Sequence, residues 1–289
     1  MWIMLKNFKI FIFLFTIFFM SNVNAKPIPP GAGDGDVAAN ILFLVDSSAS
    51  MGRWIGSDGL GRVRGVSYDS NGNILIGQNA RRAAGAVLRY TSAGARDTSF
   101  TPIRRIPRMG CAQHIDATRG INNQRFRKAS TVKFVDNAIN GEGIIFIVSQ
   151  ERRLLNYVFG FSENGRNCRF AIAGSQGGRM FDIDVKNIGG TNYLFMAGIR
   201  NRTRGYFKVT NLTTMQSTYT EFNNRNHITR RYHRLSVNND ASRIYFSDAA
   251  NGGDLVGYTL NPSGPSFTLG NEVIRCNAVN NPNLTNQLM

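Results

Sequence analysis

In the stretch NILFLVDSSASMG, residues 40–52, Asp46, Ser48 and Ser50 stand at alternate positions directly after an apolar run. This spacing can do chemistry. An apolar strand over residues 41–45 would hold the Asp46 carboxylate rigidly at the carboxyl end of a sheet, where α/β folds place ligands. Ser48 and Ser50 would offer neutral oxygens beside it. One carboxylate, two hydroxyls and waters suit a hard divalent ion, Mg2+ first, with Mn2+ or Ca2+ as alternatives. The competing reading is structural. The stretch can be laid over RIYFSDAANGGDLVGYTL, residues 243–260, as strand, Asp, polar turn, strand. Asp46 would then be a turn residue satisfying backbone N–H groups.

The remaining candidate acids are Asp69, Asp136, Asp184 and Asp248, all at expected hairpin turns or strand ends where Asp serves the backbone. His114, His227 and His233 have no metal-ligand spacing. The chain has no G-x-S-x-G, H-E-x-x-H or phosphate-cradling loop. These patterns argue against catalysis. A secreted propeller lactonase, glycan lyase or quinoprotein is the enzymatic alternative.

The elements that would carry these residues come from a repeat. RVRGVSYDSNGNILIGQ, residues 62–78, alternates apolar and polar positions, turns at Asn71-Gly72 and continues as a second apolar strand. The phrase recurs from Ser130, from Arg179 and from Tyr232. A third strand comes after it each time (VLRYTSAG, LNYVFGFSENG, GYFKVTNLT, LVGYTLNPSG), and a short fourth strand is expected to close the unit. Four strands per unit, with units roughly 50 to 70 residues apart, predict a mainly β protein built as a β-propeller of four-stranded blades. About four blades are recognisable over residues 57–289, a number that need not complete the ring. An N-terminal strand would close it by pairing near residues 273–276.

Two stretches resemble known families. GVSYDSNGNILIGQ…VLRYTSAGARDTSF, residues 65–100, is similar to the delta-60 repeat, a propeller-type repeat of bacterial secreted proteins. Asp69, Gly72, Ile74, Leu75, Gly77, Asp97, Ser99 and Phe100 take its pattern positions, with Arg96 where Leu is usual. Residues 39–56 resemble the start of a von Willebrand factor A domain, whose first strand ends in D-x-S-x-S, part of a metal-ion-dependent adhesion site. The resemblance implies that Asp46, Ser48 and Ser50 are metal ligands and that an open coordination position takes a partner's carboxylate. The next residues, RWIGSDGLGRVRG, depart from that family, because glycines at 56, 59 and 61 discourage the helix due there. The loop Thr and Asp that complete such a site are not identifiable. A propeller inserted into an A domain reconciles the two likenesses, and the ending NPNLTNQLM, one strand into a further unit, predicts continuation past Met289.

The N-terminus is expected to be removed. Lys6 and Lys9 precede an apolar run over residues 10–20, and Val23 and Ala25 fit the −3 and −1 positions of a cleavage site. Residues 1–25 therefore read as a secretory signal peptide, residues 26–38 as a flexible lead-in, and the mature chain as exported, to the periplasm, the cell surface or the medium, with no membrane span. Without the two leader lysines, 32 basic residues face 18 acidic ones, a formal charge of +14. That field attracts polyanions. Arginine pairs at 81–82, 104–105, 152–153 and 230–231 are scattered, and no nucleic-acid motif accompanies them. Cys111, Cys168 and Cys276 keep step with the repeat, and equivalent positions on different blades face different ways, so the thiols are expected to be unpaired.

The expected function is binding or adhesion to a protein or polysaccharide ligand at the cell surface, by analogy with bacterial pilus-tip adhesins that join an A domain to a propeller. A basic propeller that binds polyanions is the alternative.

Overall fold

A computed structural model describes residues 62–79, 86–115, 121–126, 128–149, 154, 156–175, 178–201, 204–222, 234–248, 254–264 and 266–276. These residues form sixteen strands in four sheets. Blade 1 is β1 (Arg62–Tyr68), β2 (Ile74–Asn79) and β3 (Val87–Tyr90). The short β4 (Gln113–Ile115) precedes blade 2, which is β5 (Ala129–Ile139), β6 (Glu142–Ser149), β7 (Tyr157–Ser162) and β8 (Cys168–Ala173). Blade 3 is β9 (Arg179–Ile188), β10 (Thr191–Asn201), β11 (Arg204–Asn211) and β12 (Ser217–Phe222). Blade 4 is β13 (Arg234–Val237), β14 (Arg243–Asp248), β15 (Asp254–Ser263) and β16 (Ser266–Cys276). Within each blade, neighbouring strands pair antiparallel in sequence order, the meander expected of propeller blades.

Burial explains why the middle strands lose their alternation. β6 and β7 are buried almost throughout. Ile145 and Ile147 of β6 pack with Leu75, Val87 and Phe100 of blade 1, while Ile144, Phe146 and Val148 pack with Ile183, Leu194 and Met196 of blade 3. β10 repeats this one blade on, because Leu194 and Met196 face blade 2 whereas Phe195 and Ala197 join Leu235, Ile244 and Phe246 of blade 4. A strand covered on both faces needs apolar residues at every position.

The repeated hairpins form where the sequence places them, and one turn differs from expectation. The β5–β6 turn is a two-residue Asn140-Gly141 link with both residues at positive φ. At Asn71-Gly72 the connection spans five residues, 69–73, and only Gly72 takes positive φ. Asp69 causes the difference, because its carboxylate accepts from the backbone N–H groups of Asn71 and Asn73 and winds the turn around itself.

Blade 1 also departs from the repeat. The fourth-strand place beside β3 holds an irregular segment, bonded where the Ile103 N–H donates to Val87 and the Ala86 N–H to Ile103. The chain then crosses to blade 2, where β4 pairs parallel with β8 as a fifth strand. This excursion corrects the expectation of unpaired thiols. Cys111 lies not on a strand of its own blade but beside β8, with Cα 4.6 Å from that of Cys168, and the two form a disulfide. The side chain of Cys276 lies outside the described residues.

Candidate functional site

The first strands of all four blades, β1, β5, β9 and β13, meet at a cavity of about 400 Å³ lined by Arg64, Ser67, Thr131, Lys133, Asp182 and Arg234 among others. On β9 the sequence D-I-D sends Asp182 and Asp184 to one face, since side chains alternate along a strand. Both are buried and both are engaged. Asp182 accepts from the Thr131 hydroxyl at 2.6 Å and from the Leu235 N–H at 3.0 Å, with the Arg234 guanidinium 3.7 Å away. Asp184 pairs with Lys133 of blade 2 and accepts from the Val237 N–H of blade 4 at 2.9 Å. Arg234 also donates to the Arg64 carbonyl of β1, 3.3 Å away. Burial pushes the Asp182 carboxyl up from its ordinary value, while Arg234 and the donated hydrogen bonds oppose the rise. The two acids tie three consecutive blades together through their inner strands. Asp184 is among the acids that the sequence marks; Asp182, its partner in the alternation, is not.

The delta-60-like positions form a second constellation at the β1–β2 turn of blade 1, reaching to blade 2. Asp69 Oδ2 accepts from Asn73 Nδ2 at 2.9 Å and from Arg89 Nη1 at 3.2 Å. Arg89 Nε donates to Asp97 at 2.7 Å, Nη1 donates to the Glu163 carbonyl of blade 2, and the guanidinium lies 5.0 Å over the Phe100 ring. Asp97 also accepts from the Ser99 N–H and hydroxyl. The Ser99 hydroxyl, followed by Arg89, holds the Asp97 carboxyl down at about 2. Gly77 permits the neighbouring close approach, since a Cβ there would stand 2.5 Å from a Val132 methyl. This arrangement is a staple, and every charge in it has a partner.

Of the other sequence candidates, Asp136 is at an exposed bulge, where its carboxylate accepts from the Asn137 N–H. Asp248 and His114 have described backbones, in β14 and β4, but their side chains lie outside the described residues, as do His227 and His233. Asp46, Ser48 and Ser50 lie outside them too. Among the described residues, no group of three or more His, Cys, Asp or Glu side chains could hold a metal ion.

A third region is not evident from the sequence. Between blades 1 and 2, residues 101–128 carry seven basic residues and one acid. Two passes of this segment run antiparallel: the Phe126 N–H donates to the Arg104 carbonyl at 2.7 Å, the Ile106 N–H donates to the Gln124 carbonyl at 2.9 Å, and Arg105 stands directly opposite Arg125. Ile103, Ile106, Ile121 and Phe126 point into the core between blades 1 and 2. Arg104, Arg105, Arg108, Arg125 and Lys128 stay exposed. Of the arginine pairs that look scattered in the sequence, Arg104 and Arg105 lie on this ribbon, and the other three pairs lie outside the described residues. No described carboxylate pairs with any of the five.

No family model matches the chain, and no curated protein matches it in sequence. Among solved structures it is similar to a candidate 6-phosphogluconolactonase from Bacteroides uniformis, at 12% identity and a TM-score of 0.46 over 77% of this chain and 59% of that one. It is similar to the hydrazine synthase of Kuenenia stuttgartiensis at 9% identity and a TM-score of 0.41, over 75% and 68% of the two chains. A candidate exo-beta-1,3-galactanase from Bifidobacterium bifidum gives 10% identity and a TM-score of 0.40, over 73% and 70%. The chain thus spans 59% of the length of the Bacteroides protein. Likenesses this distant say nothing about chemistry, and the propeller assignment rests on the four meander sheets themselves.

Proposed function

We propose that the chain is an exported binding protein whose propeller presents a basic surface to an anionic partner at or beyond the cell surface. One observation carries this reading. The buried acids Asp69, Asp182 and Asp184 are each held in bonds that fix a turn or join blades, whereas the exposed bases of residues 101–128 face no described carboxylate. An unneutralised basic surface attracts polyanions, with a strength that falls steeply as salt rises.

A second reading rests on the sequence D-x-S-x-S-M-G after an apolar run: metal-dependent adhesion through Asp46, Ser48 and Ser50, with Mg2+ as the ion. The two make opposite predictions. Binding to an immobilised acidic polysaccharide, monitored in rising NaCl and in EDTA, is expected to be lost to salt and untouched by EDTA. Loss to EDTA, reproduced by Asp46→Ala, would replace the electrostatic reading with the metal-dependent one.

A further inference from the structure

We infer that the two-pass ribbon of residues 103–108 and 124–126, together with Lys128, is the docking surface for a linear acidic polysaccharide, an inference that rests on the polyanion reading and gives it a place and a ligand class. Arg105 and Arg125 are cross-strand partners, and like charges directly opposite one another are destabilising. Here nothing described offsets them: Arg105 makes a weak 3.5 Å hydrogen bond to Asn123, a neutral acceptor. Arg104, Arg108 and Lys128 extend the positive charge along the same segment. An anionic group between the two guanidiniums would convert the repulsion into paired charge-assisted bonds, since each guanidinium presents a planar fork matched to carboxylate or sulfate.

The mounting is rigid. Ile103, Ile106 and Phe126 are almost fully buried, the backbone bonds of the two passes hold them together, and the Cys111–Cys168 disulfide anchors the exit to blade 2. A backbone already held in place need not be ordered when a chain of regularly spaced anions binds, so the entropy cost falls on the side chains alone.

Three features favour polysaccharide over nucleic acid and membrane. The one exposed large hydrophobic beside the ribbon, among the described residues, is Met109, so the surface offers no aromatic face on which a nucleobase could stack. Its two extended passes supply no helix for a nucleic-acid groove. A single methionine buries too little area to insert into a bilayer.

The test uses the full chain, with polygalacturonate (carboxylate only) and dextran sulfate (sulfate only) as probes, titrated in NaCl. The triple variant Arg104→Gln, Arg105→Gln, Arg125→Gln is expected to weaken binding roughly tenfold or more and to flatten the salt dependence by about two to three ions. The control Arg169→Gln, Arg200→Gln, Arg243→Gln removes as many charges from other faces and is expected to weaken binding less than about threefold. Arg104→Lys, Arg105→Lys, Arg125→Lys keeps the charge and should keep the salt slope, which separates lost contacts from lost folding. Equal losses in the two glutamine triples would overturn the ribbon while leaving the polyanion reading standing. Failure of the unaltered chain to bind either polysaccharide would overturn the ribbon's ligand, and failure to bind oligo(dT) and phosphatidylglycerol vesicles as well would overturn the polyanion reading. Tighter binding to oligo(dT) or to phosphatidylglycerol vesicles than to either polysaccharide would overturn the ligand class.

Discussion

Arg89, in β3 of blade 1, and Arg105, on the segment that runs on from that blade, lie sixteen positions apart, and their surroundings are opposite. Arg89 meets Asp69, Asp97, a backbone carbonyl and the face of Phe100, and is largely buried. Arg105 is exposed and meets another arginine. The same side chain is structural in one place and unspent in the other. At Arg89 the chain holds its fold by setting a cation between two acids. At Arg104, Arg105, Arg108, Arg125 and Lys128 no described carboxylate compensates the positive charge, on a backbone tied firmly to the core.

The sharpest way to break this comparison is to remove the guanidinium of Arg89. Arg89→Met keeps an apolar stem over Phe100 but leaves the Asp69 carboxylate, whose side chain is wholly inaccessible, without its counter-charge. Removing one partner of a buried pair costs about 3 kcal/mol. The urea midpoint should fall accordingly with an unchanged m-value. A loss below about 1 kcal/mol would mean that the turn N–H groups alone satisfy Asp69 and that the staple is no stronger than a surface pair.

Much of this architecture is legible in the sequence. The hairpins are, because alternation and turn residues are local, although the turn expected at Asn71-Gly72 widens to five residues around Asp69. Asp69 and Asp97 stand out as repeat positions, yet Arg89, which joins them, does not, since nothing in its neighbours marks it as the shared partner. The cysteines mislead because their spacing matches the repeat; only the excursion that carries β4 onto blade 2 brings Cys111 to Cys168. Asp182 escapes notice for a related reason: its partners Thr131 and Leu235 lie more than fifty residues away on either side. The ribbon is invisible for the same reason, because Arg105 and Arg125 are neighbours only once the return pass pairs with the outgoing one. The motif at Asp46 is read from sequence alone.

A smaller effect sharpens the contrast through pH. The folded Asp97 carboxyl titrates at about 2, below its ordinary 3.8, because Ser99 and Arg89 bond its ionised form. A depressed folded pKa contributes stability above the ordinary value and loses it as pH falls from about 4 towards 2. Asp97→Asn should cost roughly 1.5 kcal/mol at neutral pH, and the cost should shrink over that acid interval. Asp182, whose pKa shifts the other way, is common to both proteins, so its contribution cancels in the difference. A cost independent of pH would assign Asp97 to packing rather than to charge.

The smallest expected effect has the opposite sign. Arg105→Gln removes one member of the facing pair without touching a buried group, so stability should stay level or rise by about 0.5 kcal/mol, most visibly at low salt where the repulsion is least screened. Unfolding midpoints measured at about 20 mM and about 500 mM NaCl check this, with the gain shrinking at the higher concentration. A loss instead would mean that Arg105 has a carboxylate partner after all and belongs with Arg89. The gain also bears on ligand binding: a charge that the folded chain would be more stable without, and that polysaccharide binding requires, is what separates a surface kept for a partner from one kept for the fold.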